Sequence, residues 1–256
     1  MVTEMAARTD WSALRARVSN RLSRYFRTTP FRLRNTHPMV SFTFDDFPES
    51  AATVGGPILD RYQAKATYYV AGNTAGKWSG HWQDAPPDII LDMHRRGHEI
   101  ACHTFTHAKT TDIDAATLEI EIEENRRYLL GLDPSIRIEN FAYPYGLASV
   151  WRKMQLGRSF RSSRGIIPGI NSGVVDLQYL RSTPLINHDI DEDGIDRAFD
   201  ELVASNGWLI FYGHDVADEP SRYGCTPSLL QHALEAAARH GVRVMTVADA
   251  LRAAGA

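Results

Sequence analysis

Cysteine is nearly absent from this chain: Cys102 and Cys225 are the only two in 256 residues. So distant a pair forms no disulfide framework or metal-binding spacing, and points to buried, reduced thiols in a reducing, cytoplasmic setting. Long apolar runs are missing too. No stretch reaches the roughly 18–20 residues of a membrane span. The amino terminus carries Glu4 and Asp10 where a secretory segment would be apolar, so a soluble intracellular protein is expected. There is no internal repeat and no low-complexity tract, which excludes solenoids and fibrous arrays. Nor is there a large excess of one charge: a net charge of −3 gives no electrostatic footprint for nucleic acid.

What is present is the balance of a globular domain, 43% apolar and 23% charged, long enough to bury one sizeable core. The charge is unevenly spread. Residues 1–36 hold eight Arg against two acids, and the remaining 220 hold 20 basic against 29 acidic residues, so a basic extension precedes an acidic body over 37–256. Within the extension, Trp11, Leu14, Val18, Leu22 and Phe26 recur at helical spacing with five Arg between them, which predicts a basic amphipathic helix over 10–27. Such a helix either packs on the acidic body or lies on a membrane surface. No pattern sets an oligomeric state.

From Pro38 onward, strand-like and helix-like runs alternate. Strands are expected at 39–44, 65–70, 98–102, 138–143, 208–213 and in "VRVMTV". Helices are expected near 51–62, 87–96, 114–130, 148–156, 227–240 and 247–254. This order implies a parallel sheet of βα units, open or closed into a barrel. Residues 157–192, interrupted by Gly157, Gly165, Pro168, Gly169 and Gly173, read as a long functional loop opened by a short strand, "RSFRSS".

Three polar clusters follow expected strands: Asp45-Asp46, "HTFTH" from His103 to His107, and His214-Asp215. In a parallel sheet all three meet at the carboxyl rim, where α/β sites lie. Two histidines four apart can face one way on a helical turn, and a strand-end Asp adds a third ligand for Zn²⁺ or a similar ion with one position open. Asp45 and Asp46 point in opposite directions along an extended chain, so one can bind while the other titrates. Trp78 and Trp82, in one loop, offer ring faces on which a ligand can stack.

These residues resemble a known family. "TFDDFP", "HTFTH", "FAYPYG" and "LIFYGHD" are similar, in order, to the motifs of the NodB-like polysaccharide deacetylases, over about residues 38–252. The resemblance implies a distorted (β/α) barrel and metal-dependent removal of N-acetyl groups from a saccharide or sugar conjugate. It implies Asp45 as general base, Asp46, His103 and His107 as metal ligands, the Tyr145 backbone N–H at the oxyanion, and His214 as general acid. Three departures stand out. Phe47 replaces the usual Gly beside the base, where it is expected to reshape the rim. Ala142 and Tyr143 stand near the place of the Arg that tethers the base, and the Asp-Trp motif that orients the acid histidine has no counterpart. Arg164, with Arg161 as its nearest competitor, is expected to supply the missing guanidinium from the next strand. Two rivals remain: an amidase of the same superfamily acting on a formamide or cyclic ureide, and a catalytically silent carbohydrate-binding barrel.

Overall fold

The structure is a computed structural model in which Ser23, Tyr25 and residues 26–256 are described. The expected helix over 10–27, and the choice between acidic body and membrane surface that hangs on it, lies largely outside the described residues. Among them, no helix is long and apolar enough to cross a membrane.

Six segments form the main sheet before the long loop ends: β2 (Met39–Phe44), β3 (Thr67–Val70), β4 (Glu99–Cys102), β5 (Asn140–Ala142), β6 (Ser162–Arg164) and β8 (Thr183–Pro184). Strands β9 (Trp208–Gly213) and β10 (Arg243–Val244) complete it. The order along the sheet is β6-β5-β4-β3-β2-β9-β8, with β10 added to β2, and every pairing is parallel. A separate antiparallel pair joins β1 (Pro30–Arg32) to β7 (Val174–Asp176), and the Asp176 carboxylate accepts from the Thr28 and Thr29 amides.

Why the sheet curls follows from what its two faces bury. Phe42, Phe44, Tyr68, Val70 and Ile100 alternate outward and join one core with residues of the covering helices α1 (Glu49–Thr53), α2 (Gly55–Arg61), α3 (Pro87–Arg95), α4 (Ala115–Leu132), α6 (Glu192–Ser205) and α7 (Pro227–Arg239). The opposite face carries small or polar residues: Tyr69, Ala101 and Ala142 cluster there, and Glu99 accepts from Thr67 Oγ1 at 2.8 Å and Asn140 Nδ2 at 2.6 Å. A sheet with such an inner face can close on itself over polar side chains. It does so incompletely, as β6 and β8 end the strand order and do not pair with each other, and the result is the expected distorted barrel. Helix α8 (Val247–Ala253) plugs the amino-terminal end, where the Val247 and Ala248 amides donate to Thr67 Oγ1 and Glu99.

Helix α5 (Val150–Leu156) lies where a helix near 148–156 is expected, whereas several other elements differ in detail. The helix near 51–62 is two helices broken at Val54. "VRVMTV" shortens to two strand residues, because Thr246 turns out of the sheet to cap α8 through its hydroxyl. Helix α6 was not among the expected elements, although buried Ile195, Phe199 and Leu202 recur at helical spacing. The stretch 157–192 is less irregular than its glycines imply: β6, β7 and β8 lie within it, the first of them where the short strand was expected. Both cysteines are buried and unpaired. Burial pushes the Cys102 thiol up to about 11 and the Cys225 thiol up to about 12, so both remain protonated.

Candidate active site

The carboxyl ends of β2, β4, β5 and β9 open into a cavity of about 520 Å³ whose lining includes Asp45, Asp46, His103, His107, Tyr145 and His214. The strand order had brought Asp45, Asp46, His103, His107 and His214 to one rim and the resemblance had added Tyr145, and all six line this one space.

Asp45 continues the inward alternation of Ser41 and Thr43. Past it the chain turns through two left-handed residues in succession, Asp46 (φ 58°) and Phe47 (φ 48°). For residues with a Cβ this conformation costs about 1–2 kcal/mol each. The turn is held by Asp45 N–H donating to Gly213 O at 2.9 Å and by Ala85 N–H donating to Phe47 O at 2.9 Å. Left-handed geometry explains why a glycine suits position 47. Here the Phe47 ring is 1% exposed and stacks on Tyr68, centroids 4.2 Å apart, on the outer face. It therefore leaves the rim untouched, contrary to the expectation that it would reshape it.

His103 and His107 do not sit on a helical turn, as their spacing had indicated. They lie on a loop after β4 in which Thr104 and His107 adopt positive φ of 59°. Glu121 of α4 shapes that loop: its carboxylate accepts from the Phe105 and Thr106 amides, both at 2.8 Å, and from Thr106 Oγ1 at 2.7 Å. No sequence motif marks Glu121, because its partner is a backbone loop 15 residues away.

The three candidate ligands present their ligand atoms within 4.8 Å of one another. His103 Nδ1 is 2.8 Å from the carbonyl of Ala142, which can only accept, so Nδ1 carries the proton and Nε2 a lone pair. Nε2 of His103 and Nε2 of His107 lie 3.4 and 3.2 Å from Asp46 Oδ1, a buried oxygen with no hydrogen-bond partner. Burial lowers the histidines to about 3 and about 4, so both are neutral at pH 7, and it pushes Asp46 up to about 6 against the pull of His214 and with the help of Asp45. Neutral imidazole nitrogens converging on an unsatisfied carboxylate oxygen fit a divalent cation between them.

Asp45 is separate from this cluster and 5% exposed. Arg164, at the end of β6 and fully buried, donates from Nη2 to its Oδ1. The guanidinium lies between the faces of Tyr69 and Tyr212, 5.0 and 5.4 Å from their centroids. Burial acts to raise the Asp45 carboxyl, but the charge and hydrogen bond of Arg164 outweigh it and hold the group below the ordinary carboxylate value. Arg161 points elsewhere, pairing with Glu139 at 3.1 Å.

Tyr145 stands in a one-turn helix, Pro144–Gly146, with φ 58° and its ring 4.6 Å from that of His107. Gly146 is required after it: at φ +65° a Cβ would lie 2.2 Å from Ile166 Cγ1. Trp82 is 8% exposed and lines the cavity, whereas Trp78 is 66% exposed and does not. Asp215 turns away from the cavity to accept from the Ser221 amide and hydroxyl at 2.7 and 2.6 Å.

A curled parallel sheet with an Arg-bound aspartate and a two-histidine, one-aspartate candidate metal centre at its carboxyl rim defines a class of α/β-barrel protein. Within that class, residues 32–154 match the Polysaccharide deacetylase family profile. A chitooligosaccharide deacetylase of Rhizobium leguminosarum bv. trifolii is 31% identical over 126 residues, 48% of this chain and 52% of the relative. A chitin deacetylase of Colletotrichum lindemuthianum is 24% identical over 86% of this chain and 82% of its own length. The solved structure of that fungal enzyme superposes with a TM-score of 0.61 at 19% identity, covering 85% of this chain and 89% of the other. Residues 32–154 thus carry the sequence of a polysaccharide deacetylase domain. The chain spans about half the length of the rhizobial relatives it matches.

Proposed function

We propose that this chain is a metal-dependent hydrolase that removes N-acetyl groups from a saccharide or sugar conjugate. The observation that carries the reading is the pairing of two separate devices in one cavity, an ionised Asp45 held by Arg164 and an unsatisfied Asp46 oxygen faced by two neutral histidines. The named relatives, deacetylases of chitin and chitooligosaccharide, support the substrate class.

Asp46, His103 and His107 would hold the cation, and two imidazoles with one carboxylate suit zinc. When bound, it would supply Lewis acidity toward the amide carbonyl and acidify a water. Asp45, ionised and held in place by Arg164, is the group that accepts the proton of the attacking water. The oxyanion role of the Tyr145 backbone N–H belongs to the same proposal. His214 Nδ1 faces the Tyr223 carbonyl at 3.2 Å and so keeps a proton there, and when the ring carries a second proton on Nε2 that proton passes to the departing amine, leaving the neutral imidazole.

Amidase action on a formamide or cyclic ureide would use the same groups and differs only in the substrate the cavity admits. A silent binding barrel would have no use for a buried carboxylate kept charged by a buried guanidinium, an arrangement that costs several kcal/mol per ion in desolvation. Two buried free thiols favour a reducing compartment such as the cytoplasm. The test is acetate release from N-acetylated oligosaccharides, nucleotide sugars and lipid-linked sugars by zinc-loaded protein, alongside formamide and ureide substrates. Release of acetate from one sugar class supports the proposal. Turnover confined to formamides or ureides, or none at all with metal bound, overturns it.

A further inference from the structure

The acid side of the cavity is built differently from the base side. Asp45 is oriented by a full charge, but among the described residues no carboxylate lies within ion-pair distance of the His214 ring. The adjacent Asp215 is committed to Ser221. The hydrogen bond from Nδ1 to the Tyr223 carbonyl, at 3.2 Å, is long for a sole anchor. An imidazole held at one nitrogen can still swing about that bond, and Nε2 with it.

What restricts the swing is aromatic. The Trp82 ring packs along the imidazole, centroids 5.1 Å apart and planes 32° from parallel, while the Tyr223 ring stands at 5.8 Å and 54°. Trp82 is itself fixed. Its Nε1 donates to Asp84 Oδ1 at 2.8 Å, its amide donates to Ser79 Oγ at 3.1 Å, and its carbonyl accepts from the Ser79 amide at 2.9 Å. Asp84 is 2% exposed, and its own amide donates to Lys77 O at 2.9 Å. The loop is stitched to the segment after the two catalytic aspartates by Glu49 N–H donating to Gln83 O at 2.8 Å. Tryptophan, indole acceptor and imidazole thus form one connected wall.

We propose that Trp82, pinned by Asp84, is the positioning residue for His214, fixing the imidazole plane so that Nε2 faces the scissile nitrogen. The proposal rests on the assignment of His214 as general acid. As the C–N bond breaks, its electron pair stays on nitrogen, which takes the proton from Nε2. An amine needs that proton to depart, whereas 4-nitrophenolate leaves readily as an anion. Misplacing the acid therefore slows amide cleavage selectively. A wall that merely shaped the cavity would affect both substrates alike, and a platform for the sugar would act on KM.

The experiment compares kcat and KM of zinc-loaded, full-length Trp82→Leu, Trp82→Phe and His214→Ala proteins on an N-acetylated chitooligosaccharide and on 4-nitrophenyl acetate. Trp82→Leu is expected to lower the amide-to-ester ratio of kcat by about tenfold. Trp82→Phe, which keeps a ring face, should hold it within about threefold of the parent, and His214→Ala should lower it by about 10²–10⁴. If Trp82→Leu no longer unfolds cooperatively, Trp82→Met, which keeps bulk without a ring, takes its place. Equal loss on both substrates in Trp82→Leu, or a rise in oligosaccharide KM with kcat retained, overturns the positioning role while the His214 ratio still upholds the acid. An unchanged ratio in His214→Ala overturns the acid assignment, and the clamp with it.

Discussion

The guanidinium of Arg164, at the end of β6, donates to the carboxylate of Asp45, at the end of β2, although three strands lie between them in the sheet. The contact exists because the sheet curls, and it crosses the barrel interior between Tyr69 and Tyr212. Arg164→Met would leave a buried aspartate without its partner, so a loss of about 3–5 kcal/mol in unfolding free energy is expected. Turnover should fall with metal content intact. Arg164→Lys should not restore it, because an ammonium can neither fork toward the carboxylate nor lie flat between two rings. Denaturant unfolding, metal analysis and acetate release check the three points. Full activity in either variant would remove Arg164 from the base.

Much of the arrangement is legible in the sequence, and the reasons differ residue by residue. Asp45, Asp46 and His214 follow strands whose alternation is unmistakable, and parallel strands necessarily bring their carboxyl ends to one rim. Arg164 was reachable because a base between charged neighbours must be oriented and the expected tether was missing from β5. Glu121, Tyr223 and Asp84 were not legible: each acts on a backbone loop or an indole whose position depends on three-dimensional packing. The outward course of Phe47 was missed for a related reason, since left-handed φ at two successive residues swings the ring across the sheet. Helix α6 shows the other kind of miss, a periodic signal present in the chain and passed over beside a glycine-rich loop.

The proposed base, Asp45, and the candidate ligand, Asp46, are distinct groups in this geometry, one bonded to Arg164 and the other facing two imidazoles. Asp45→Asn should therefore retain about one zinc per chain and lose about 10²–10⁴ in turnover, the usual worth of a general base. His103→Ala should lose both metal and activity. Zinc content after dialysis, read beside acetate release, separates them. Equal metal loss in the two variants would make Asp45 a ligand.

Glu121 offers a test remote from the reacting atoms. Its carboxylate closes the loop between the two histidines through two amides and a hydroxyl, so Glu121→Ala frees three donors and lets the loop relax. Partners that orient metal ligands are typically worth about 10–100-fold in affinity. The expected outcome is zinc binding weaker by that order, measured by competition with a chromophoric chelator, with thermal stability of the metal-free protein lowered far less than by a core substitution. Unaltered zinc affinity would confine Glu121 to a structural role.

Asp84 carries the pH prediction. Burial, with the Asp46 charge nearby, pushes its carboxyl up to about 7 even though Trp82 Nε1 donates to it. In the unfolded chain the same group titrates near 3.8. Between those two values the folded protein holds a proton that the unfolded chain has released. Stability from this residue is therefore fully present below about pH 4 and is lost as pH rises toward 7. Asparagine keeps a carbonyl oxygen for the indole N–H and never ionises. Asp84→Asn should thus match the parent near pH 4.5 and exceed it in thermal midpoint by a margin that grows up to about pH 7 and then levels off. Unfolding of metal-free protein scanned across that range reads the margin directly. A difference that stays constant from pH 4.5 to 8 would mean that Asp84 is ionised throughout, and that the indole N–H together with its surroundings stabilises a buried charge.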